Sequence, residues 1–212
     1  KAVIMISELK DFIAGADIKA FEIEKEGEFR PFQKKGHEIL NSVEQQKKPI
    51  IAAIHGNCVG LGLEIALACH ARIVSNSATT KLALPEVKLG ILPGGGGTQR
   101  LPRRVGLQKA LDMMLTGKNV FARPAKKMGL VDELTAPGKL HQAATMMAQR
   151  MLKTPIKRKS KLSFTEKLLE GNPIGRSILF SQAKKMALKQ SQGNYPAIPA
   201  IIECVETGIK QG

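Results

Sequence analysis

Two acidic residues stand among apolar neighbours, where a carboxylate is costly unless something pairs with it or uses it. Glu64 lies in the otherwise apolar run Leu63–Leu67, and Glu86 lies between Pro85 and Val87. Two carboxylates that converge in a dry pocket have raised and separated pKa values, as general acid and base catalysis near neutral pH requires. The alternatives from the residues alone are an exposed helix position for Glu64 and a loop salt bridge for Glu86.

Three glycine-containing turns follow predicted strands and open helices: Ala14–Asp17, Gly60–Glu64 and Gly94–Gly97. A helix N-terminus presents unpaired N–H groups and the positive end of the helix dipole, so two such turns facing one point would bind a developing oxyanion. No turn is a nucleotide-binding motif. Gly94–Gly97 lacks the Gly-Lys-Ser/Thr of a P-loop, and Ile65 and Gln99 stand where a GxGxxG motif requires its third glycine.

The elements that must position these turns begin with a βαβ unit. The apolar run Ala2–Ile6 predicts a buried strand, residues 32–46 a helix, and Ile50–Ile54 a second strand after Pro49. The remaining pattern predicts helices at Gly62–His70, from Thr98 onward, at Gln108–Leu115 and at Pro124–Met128. It predicts strands at Ala71–Val74 and Leu130–Leu134, and a loop at Leu82–Leu92. From His141 onward the pattern is helical, with interruptions at 171–173 and 193–196.

Length and composition fit one globular domain of 212 residues with 43% hydrophobic residues. Wholly apolar runs reach about five residues, far fewer than the roughly 18–20 that span a bilayer, so no membrane span is predicted. The three cysteines, Cys58, Cys69 and Cys204, are too scattered for a disulfide framework or a paired zinc motif. We therefore expect a reducing compartment and no metal site.

The net charge of +15 is concentrated in the second half of the chain, since residues 1–100 carry +2 and residues 101–212 carry +13. The densest basic cluster lies within Lys153–Lys161, and almost no aromatic residues accompany it for base stacking. A surface for phosphates, RNA, a membrane or an acidic partner is one interpretation of this cluster. A solvated helical surface is the other.

Several motifs in a fixed order resemble the crotonase superfamily of enoyl-CoA hydratases and isomerases. Within that superfamily the sequence is most similar to the hydratase part of multifunctional fatty-oxidation complex alpha subunits, including the C-terminal segments 193–197 and 206–212. The motifs are Phe12–Lys19, Ile51–Gly56, Gly60–His70, Leu84–Gly90, Pro93–Pro102, Leu115–Gly117 and Ala125–Val131.

The resemblance implies an α/β fold with two regions. Residues 1–135 would form a crotonase-like ββα spiral core, and residues 136–212 a helical C-terminal region that leads toward a dehydrogenase part. Members of the superfamily usually have two further strands and a helix before the position of Ala2. We therefore expect this sequence to lack the first strands of the core.

The resemblance also implies the activity, which is syn hydration of trans-2-enoyl-CoA to 3-hydroxyacyl-CoA in fatty-acid β-oxidation. Glu64 would deprotonate the attacking water, and Glu86 would exchange the proton at C2. The backbone N–H groups of Ala16 and Leu61 would hold the thioester oxygen. Two alternatives are Δ3-Δ2-enoyl-CoA isomerisation on the same scaffold and a non-enzymatic, basic RNA-binding module.

Further residues would surround the acyl-CoA by the same resemblance: Gly15, Asp17, Lys19, Gly60, Gly62, Pro85 and Gly94. Lys19 would neutralise a phosphate of coenzyme A, or else is a solvated helix lysine. Leu61 departs from the glycine common at its position, which bears on acyl-chain preference. The substrate supplies the only coenzyme, so no separate cofactor is expected.

The resemblance finally implies how the chain assembles and where it acts. We expect an oligomer, with a thiolase beta subunit as a partner and no DNA. The expected location is the cytoplasm for a bacterial source and the mitochondrial matrix for a eukaryotic one.

Overall fold

A computed structural model describes residues 1–17, 27–154, 162, 164–191 and 196–211, and its architecture is the expected mixed α/β type. The first sheet contains four parallel strands, β1 (Val3–Ile6), β2 (Ile50–Ile54), β4 (Ala71–Ser75) and β7 (Glu133–Thr135), in the order β1-β2-β4-β7. Every residue of β2 and β4 is buried. That burial explains why β2 has no polar alternation.

A second sheet of three short strands carries the turns of interest. It contains β3 (Asn57–Val59), β5 (Lys81–Ala83) and β6 (Val120–Phe121) in the order β3-β5-β6. β3 and β5 run parallel, and β6 is antiparallel to β5. Ile13 forms a parallel bridge to Cys58 and so extends this sheet by one chain segment. These strands were not predicted, because two or three residues are too few to show a period.

The helices of the described residues lie close to their predicted positions. α1 has proline in its first turn, where the missing N–H costs nothing. The bounds are α1 Arg30–Gln45, α2 Leu61–Ala68, α3 Gly97–Val105, α4 Leu107–Thr116, α5 Ala122–Met128, α6 Leu140–Lys153, α7 Phe164–Gly171, α8 Pro173–Ser191 and α9 Ala197–Lys210. A 3₁₀ helix, Glu86–Leu89, lies in the segment predicted as a loop. The break between α7 and α8 confirms the interruption at 171–173, whereas residues 193–195 lie outside the described residues.

One predicted strand is displaced along the chain. The pattern predicted a strand at Leu130–Leu134, but the strand forms at Glu133–Thr135. The backbone N–H of Leu130 donates to the Ala125 carbonyl and closes the end of α5, so strand pairing begins only after it. Leu130 and its neighbour Val131 are buried in the core instead.

The helices after residue 139 pack in two places: α6 covers one face of the first sheet, and α9 packs on α3, α4 and α8. Leu140, Ala144 and Met147 of α6 form a cluster with Ile51 and Ile73 of β2 and β4. The apolar side of α9 joins the main core through Ile198, Ile201, Ile202 and Val205. The C-terminal helices therefore complete the core of the strands. None of the helices in the described ranges has the length and apolarity needed to cross a membrane.

A buried arginine joins the end of α2 to β4 and β7. Arg72 is 1% exposed and donates to the backbone carbonyls of Ala66, Cys69 and Leu130. Its guanidinium also forms an ion pair with Asp132 at 3.2 Å. Because burial is tolerable only for a paired and hydrogen-bonded charge, this network fixes the elements that it connects.

Candidate active site

Three parallel chain segments end at one edge of the second sheet. The segment at Ile13 lies beside β3, and β3 lies beside β5. The turns that follow them are Gly15–Asp17, Gly60–Leu61 and Pro85–Glu86. Turns after the carboxyl ends of parallel strands are the usual place for a ligand site in α/β proteins. Two of the predicted turns and the segment with Glu86 therefore meet at the position where such a site is expected.

Gly60 lies between the other two turns and leaves no room for a side chain. A Cβ at position 60 would lie 3.2 Å from Oε1 of Glu86 and 3.7 Å from the Cα of Gly15. The Gly60 backbone has φ of 56° and ψ of −131°, a conformation open to glycine and strained for other residues. Gly15, Gly60 and Glu86 thus surround one small volume.

Gly62 brings the first turn of α2 against the segment at Ile13. A Cβ at position 62 would overlap the Ile13 carbonyl oxygen and lie 2.8 Å from the Ile13 Cβ. The Ile13 carbonyl in turn accepts the N–H of Val59 at 3.1 Å. The close approach of the two backbones therefore depends on glycine at this position.

Two backbone N–H groups next to this volume have no acceptor within the described residues. One belongs to Leu61, the first residue of α2, and the other belongs to Ala16. The next N–H groups of α2, those of Leu63 and Glu64, donate to the Gly60 carbonyl at 2.9 and 3.1 Å. The Leu61 N–H is therefore left for a ligand oxygen, as expected at a helix N-terminus.

Glu64 is 2% exposed and is held by one carboxylate oxygen. Its Oε1 accepts the backbone N–H of Gly95 at 2.8 Å and that of Gly97 at 2.7 Å. Burial raises the pKa of Glu64, and the hydrogen bonds from Gly97 and Gly95 oppose this rise. Smaller opposing contributions come from the charges of His37 and Arg100. No described residue donates to the second oxygen, Oε2, which remains available to a substrate or a water molecule.

Glu86 is 9% exposed and has a different environment from Glu64. Its Oε2 is buried and has no hydrogen-bond partner among the described residues. Burial and, to a smaller extent, the charge of Glu64 raise the pKa of Glu86 to about 7, against the opposing effect of its own backbone N–H. A carboxyl group with this pKa can both give and take a proton near neutral pH.

The Gly94–Gly97 turn must be made of small residues where it meets Glu64. A Cβ at Gly95 would lie 2.8 Å from Oε2 of Glu64, and one at Gly97 would lie 2.9 Å from Oε1. The Gly95 position would also meet the Leu61 side chain, with 3.0 Å to its Cδ1. The Leu61 side chain therefore lies beside the Glu64 carboxylate, where glycine would leave open space.

The remaining predicted site residues occupy different places. Pro85 is the N-cap residue of the 3₁₀ helix that begins at Glu86. Gly94 does not meet Glu64, but its carbonyl accepts from side chains of α1. Asp17 is exposed at the edge of a described range. Lys19 lies outside the described residues, as do Lys157 and Lys159 of the basic cluster.

Several residues that contact the site were missed in the sequence. The donors Gly95 and Gly97 were not distinguished from their neighbours, because a run of four glycines does not show which N–H points inward. Polar residues of α1 were missed as well. Their spacing of four, four and three residues is that of one helix face, and it was available as a signal. They are Gln33, His37, Asn41 and Glu44.

A cavity of about 580 Å³ also borders the Gly94–Gly97 turn, between α1 and α9. Its lining includes His37, Gly96 and Cys204 but neither Glu64 nor Glu86.

No group of three metal-binding side chains occurs in the part of the chain that the structure describes. Two buried carboxyl groups beside backbone N–H groups that are unpaired within the described residues can transfer protons next to an oxygen that gains negative charge.

Comparisons with known proteins agree on one family. The profile of the enoyl-CoA hydratase/isomerase family matches residues 1–171. The fatty acid oxidation complex subunit alpha of Shewanella loihica is 52% identical over 214 residues, which cover 100% of this chain and 30% of that protein. The corresponding subunit of Shewanella amazonensis is 49% identical with the same coverage. The chain thus spans about 30% of the length of these curated relatives.

Solved structures show the same similarity in three dimensions. An enoyl-CoA hydratase from Bacillus anthracis superposes with a TM-score of 0.66 at 29% identity, covering 100% of this chain and 74% of that chain. DspI from Pseudomonas aeruginosa superposes with a TM-score of 0.67 at 34% identity, covering 72% of this chain and 62% of that chain.

Proposed function

The chain belongs to the enoyl-CoA hydratase/isomerase family and has its crotonase-like fold, and on this premise we propose that it hydrates trans-2-enoyl-CoA to 3-hydroxyacyl-CoA. The chain would be the hydratase part of a fatty acid oxidation complex alpha subunit, with residues 1–135 as the core and 136–212 as the helical region. The observation that carries the proposal is the pairing of Glu64, held by one oxygen, with Glu86, whose pKa is about 7.

Glu64 would act on the water molecule. Because Gly95 and Gly97 hold Oε1, the carboxylate cannot rotate freely, and Oε2 is left to accept a hydrogen bond from water. As the water oxygen forms its bond to C3 of the substrate, Glu64 takes the proton that this oxygen releases. Positioning the water in advance removes much of the entropic barrier to its attack.

Glu86 would supply the proton that balances the reaction. In its protonated form it gives this proton to C2 as the electrons of the double bond move there. A later proton transfer from Glu64 to Glu86, directly or through product and solvent, restores the starting protonation states of both carboxyl groups. Since its pKa is about 7, Glu86 carries the proton in a large fraction of molecules at neutral pH.

The unpaired backbone donors would stabilise the charge that develops on the thioester oxygen. The N–H groups of Ala16 and Leu61 have no other acceptor in the described ranges. A single donor of this kind typically lowers a reaction barrier by about 2.7–4 kcal/mol. Gly15, Asp17, Gly60, Gly62, Pro85 and Gly94 would line the acyl-CoA around this point, and Lys19 would meet its phosphates.

The test is hydration of a short trans-2-enoyl-CoA by the full-length protein, followed by the loss of its ultraviolet absorbance. We expect Glu64→Gln and Glu86→Gln each to lower kcat by about a hundredfold to ten-thousandfold. Glu38→Gln, an exposed carboxylate of α1, is the matched control and should have the wild-type rate. Wild-type rates in both site variants would refute the assignment.

Isomerisation of Δ3-enoyl-CoA is the second candidate, and the pKa of Glu86 favours it. Moving a proton along the acyl chain requires one group that titrates near neutral pH and the oxyanion donors, but no activated water. A Glu64→Gln variant that retains isomerisation while it loses hydration would show that the two reactions share the site. Loss of both reactions in Glu64→Gln would exclude a Glu86-only isomerase.

The names of the relatives support a proposal about the partners and the cellular location of this protein. Those relatives are subunits of a complex in bacteria, so we propose a multi-subunit assembly that includes a thiolase beta subunit, in the bacterial cytoplasm. We propose that the reaction needs no cofactor beyond the coenzyme A of the substrate. A purified full-length protein that is active without added cofactor would support this part of the proposal.

A further inference from the structure

Arg100 is a buried arginine that contacts neither Glu64 nor Glu86 directly. It joins the Gly94–Gly97 turn to α1. It is 8% exposed, and its Nη1 donates to the Gly95 carbonyl at 3.0 Å. Its Nε donates to Glu44 at 2.9 Å, and its Nη2 donates to Asn41 at 2.7 Å. Its guanidinium thus donates to three partners from three different nitrogen atoms, a planar and widely spaced arrangement that the compact ammonium of a lysine does not reproduce.

The same face of α1 holds the preceding peptide of the turn. The Nε2 of His37 pairs with the Gly94 carbonyl, and the Nε2 of Gln33 approaches that oxygen at 3.5 Å. The Gly94 carbonyl and the Gly95 N–H belong to one peptide group. A hydrogen bond at its oxygen therefore orients and polarises the N–H that Glu64 accepts.

We propose that this clamp, made of Gln33, His37, Asn41, Glu44 and Arg100, positions Glu64 for proton transfer, with Arg100 as its central residue. The proposal rests on the hydratase function proposed above. The two carbonyls that the clamp holds, those of Gly94 and Gly95, flank the Gly95 N–H, which is one of the two donors to Glu64 Oε1.

The composition of the turn explains why a clamp is needed. A run of four glycines, Gly94–Gly97, loses more conformational freedom on folding than any other four residues would. A side chain at Gly96, where φ is 93°, would overlap Nη1 of Arg100. The glycines thus admit both the carboxylate on one side and the guanidinium on the other, and their flexibility is offset by the bonds to α1.

Loss of the clamp has a specific kinetic signature. The Gly95 and Gly97 bonds and the charges of His37 and Arg100 lower the pKa of Glu64 against the effect of burial. Glu86 also faces this centre, and Glu44 is paired with Arg100. Without Arg100, the pKa of Glu64 rises, and the acid limb of the kcat profile moves to higher pH. Because three nitrogen atoms of Arg100 donate to protein partners, we expect KM to change little.

The experiment uses the full-length protein with Arg100→Lys, Arg100→Gln and Asn41→Ala. We expect Arg100→Gln to lower kcat by about tenfold to a hundredfold, as charge-assisted hydrogen bonds are lost, with KM within about threefold of wild type. Arg100→Lys should restore little, and Asn41→Ala should lower kcat by a smaller factor. Arg123→Lys, an exposed arginine of α5, is the matched control.

The outcomes separate this inference from the function on which it rests. Wild-type kcat and an unshifted pH profile in folded Arg100→Lys and Arg100→Gln overturn the clamp. If Arg100→Gln does not fold, Asn41→Ala decides, since Asn41 is exposed and its loss should leave the fold intact. If the wild-type protein hydrates no enoyl-CoA, the proposed function fails. Infrared titration of Glu64, identified by difference from Glu64→Gln, then tests the upward pKa change alone.

Discussion

At the scale of single residues, the two carboxylates differ in how they are held. Glu64 is tied by two backbone N–H groups at one oxygen, whereas Oε2 of Glu86 is buried without a partner in the described ranges. Burial without hydrogen bonds costs more for the ionised form than for the neutral one. Burial thus raises the pKa of both carboxyl groups, and the two backbone donors favour the ionised form of Glu64 relative to a carboxyl group without them.

The stability of the fold should depend on pH through Glu86. The pKa of this residue is about 7 in the folded chain and 4.5 as a free group. Between these values the unfolded chain releases the proton first, so the free energy of unfolding falls as pH rises and is lower above about pH 7 by about 3 kcal/mol. Denaturant unfolding of wild type and Glu86→Gln at about pH 5 and about pH 8 measures this difference. A pH dependence that is the same in both proteins would contradict the account.

The proposed oxyanion donor, the backbone N–H of Leu61, can be removed without removing the turn. Leu61→Pro deletes the N–H at the first position of a helix, where proline is tolerated. We expect kcat for hydration to fall by about a hundredfold to a thousandfold, as for other lost oxyanion donors. Leu61→Ala keeps the N–H and is the matched control, with a rate near wild type on a short substrate. Equal rates in the two variants would show that this N–H does not act on the substrate.

Some of the individual site residues could be predicted from the sequence. Glu64 and Glu86 stood out because charged residues among apolar ones need a reason to be there, and the structure buries both. The partners of Glu64 did not stand out, since backbone donors leave no trace in residue type. The sequence indicated Arg100 only as part of a motif, because its hydrogen-bond partners Asn41 and Glu44 lie on another helix.

At the scale of elements, the site exists because parallel segments end together. β3 and β5 were too short to be predicted, yet they set the separation between the turns at Gly60 and Glu86. The larger elements β2, α1 and α2 were predicted, because each has enough residues to show its period. Short strands take their conformation from neighbours that are distant in sequence, so no local pattern reveals them.

The contact between α2 and the segment at Ile13 gives a test at this scale. Gly62→Ala places a Cβ against the Ile13 backbone, so we expect the two turns to separate. The expected loss of stability is about 1–3 kcal/mol, with a fall in hydration because the donor at Ala16 moves. Gly36→Ala, in a helix with open space around it, should instead stabilise by about 0.5–1 kcal/mol. A Gly62→Ala protein with wild-type stability and rate would refute the close packing of these turns.

At the scale of the whole molecule, the core is completed by helices from the far end of the sequence. α6 packs against β2 and β4, and α9 packs against the main core. Within that core, the side chain of Arg72 links the end of α2 to the segment before β7, through hydrogen bonds to backbone carbonyls and its ion pair with Asp132. Hydropathy predicted the apolar core, but not an arginine at its centre, because a basic residue in a strand is normally exposed.

The acid sensitivity of the fold should depend on Asp132. Burial raises the pKa of Asp132, but the guanidinium groups of Arg72 and Arg104 oppose it more strongly, and the net pKa lies below the usual 3.8. The stability from this ion pair is present above the unfolded pKa and is lost as pH falls through the folded pKa. Asp132→Asn should cost about 3–5 kcal/mol at neutral pH, as measured by denaturant unfolding, because Arg72 stays buried without a counter-charge. Stability equal to wild type would contradict this role.

The most direct test of the account is a double-mutant cycle on hydration by the full-length protein, with Glu64→Gln, Glu86→Gln and both together. In the proposed mechanism, the carboxyl groups of Glu64 and Glu86 act on one substrate as a unit. When two residues act as a unit, the factors by which their single substitutions lower kcat do not multiply. The kcat of the double variant should therefore lie close to that of the less active single variant. Losses that multiply fully, or a double variant that retains the wild-type rate, would contradict the claim.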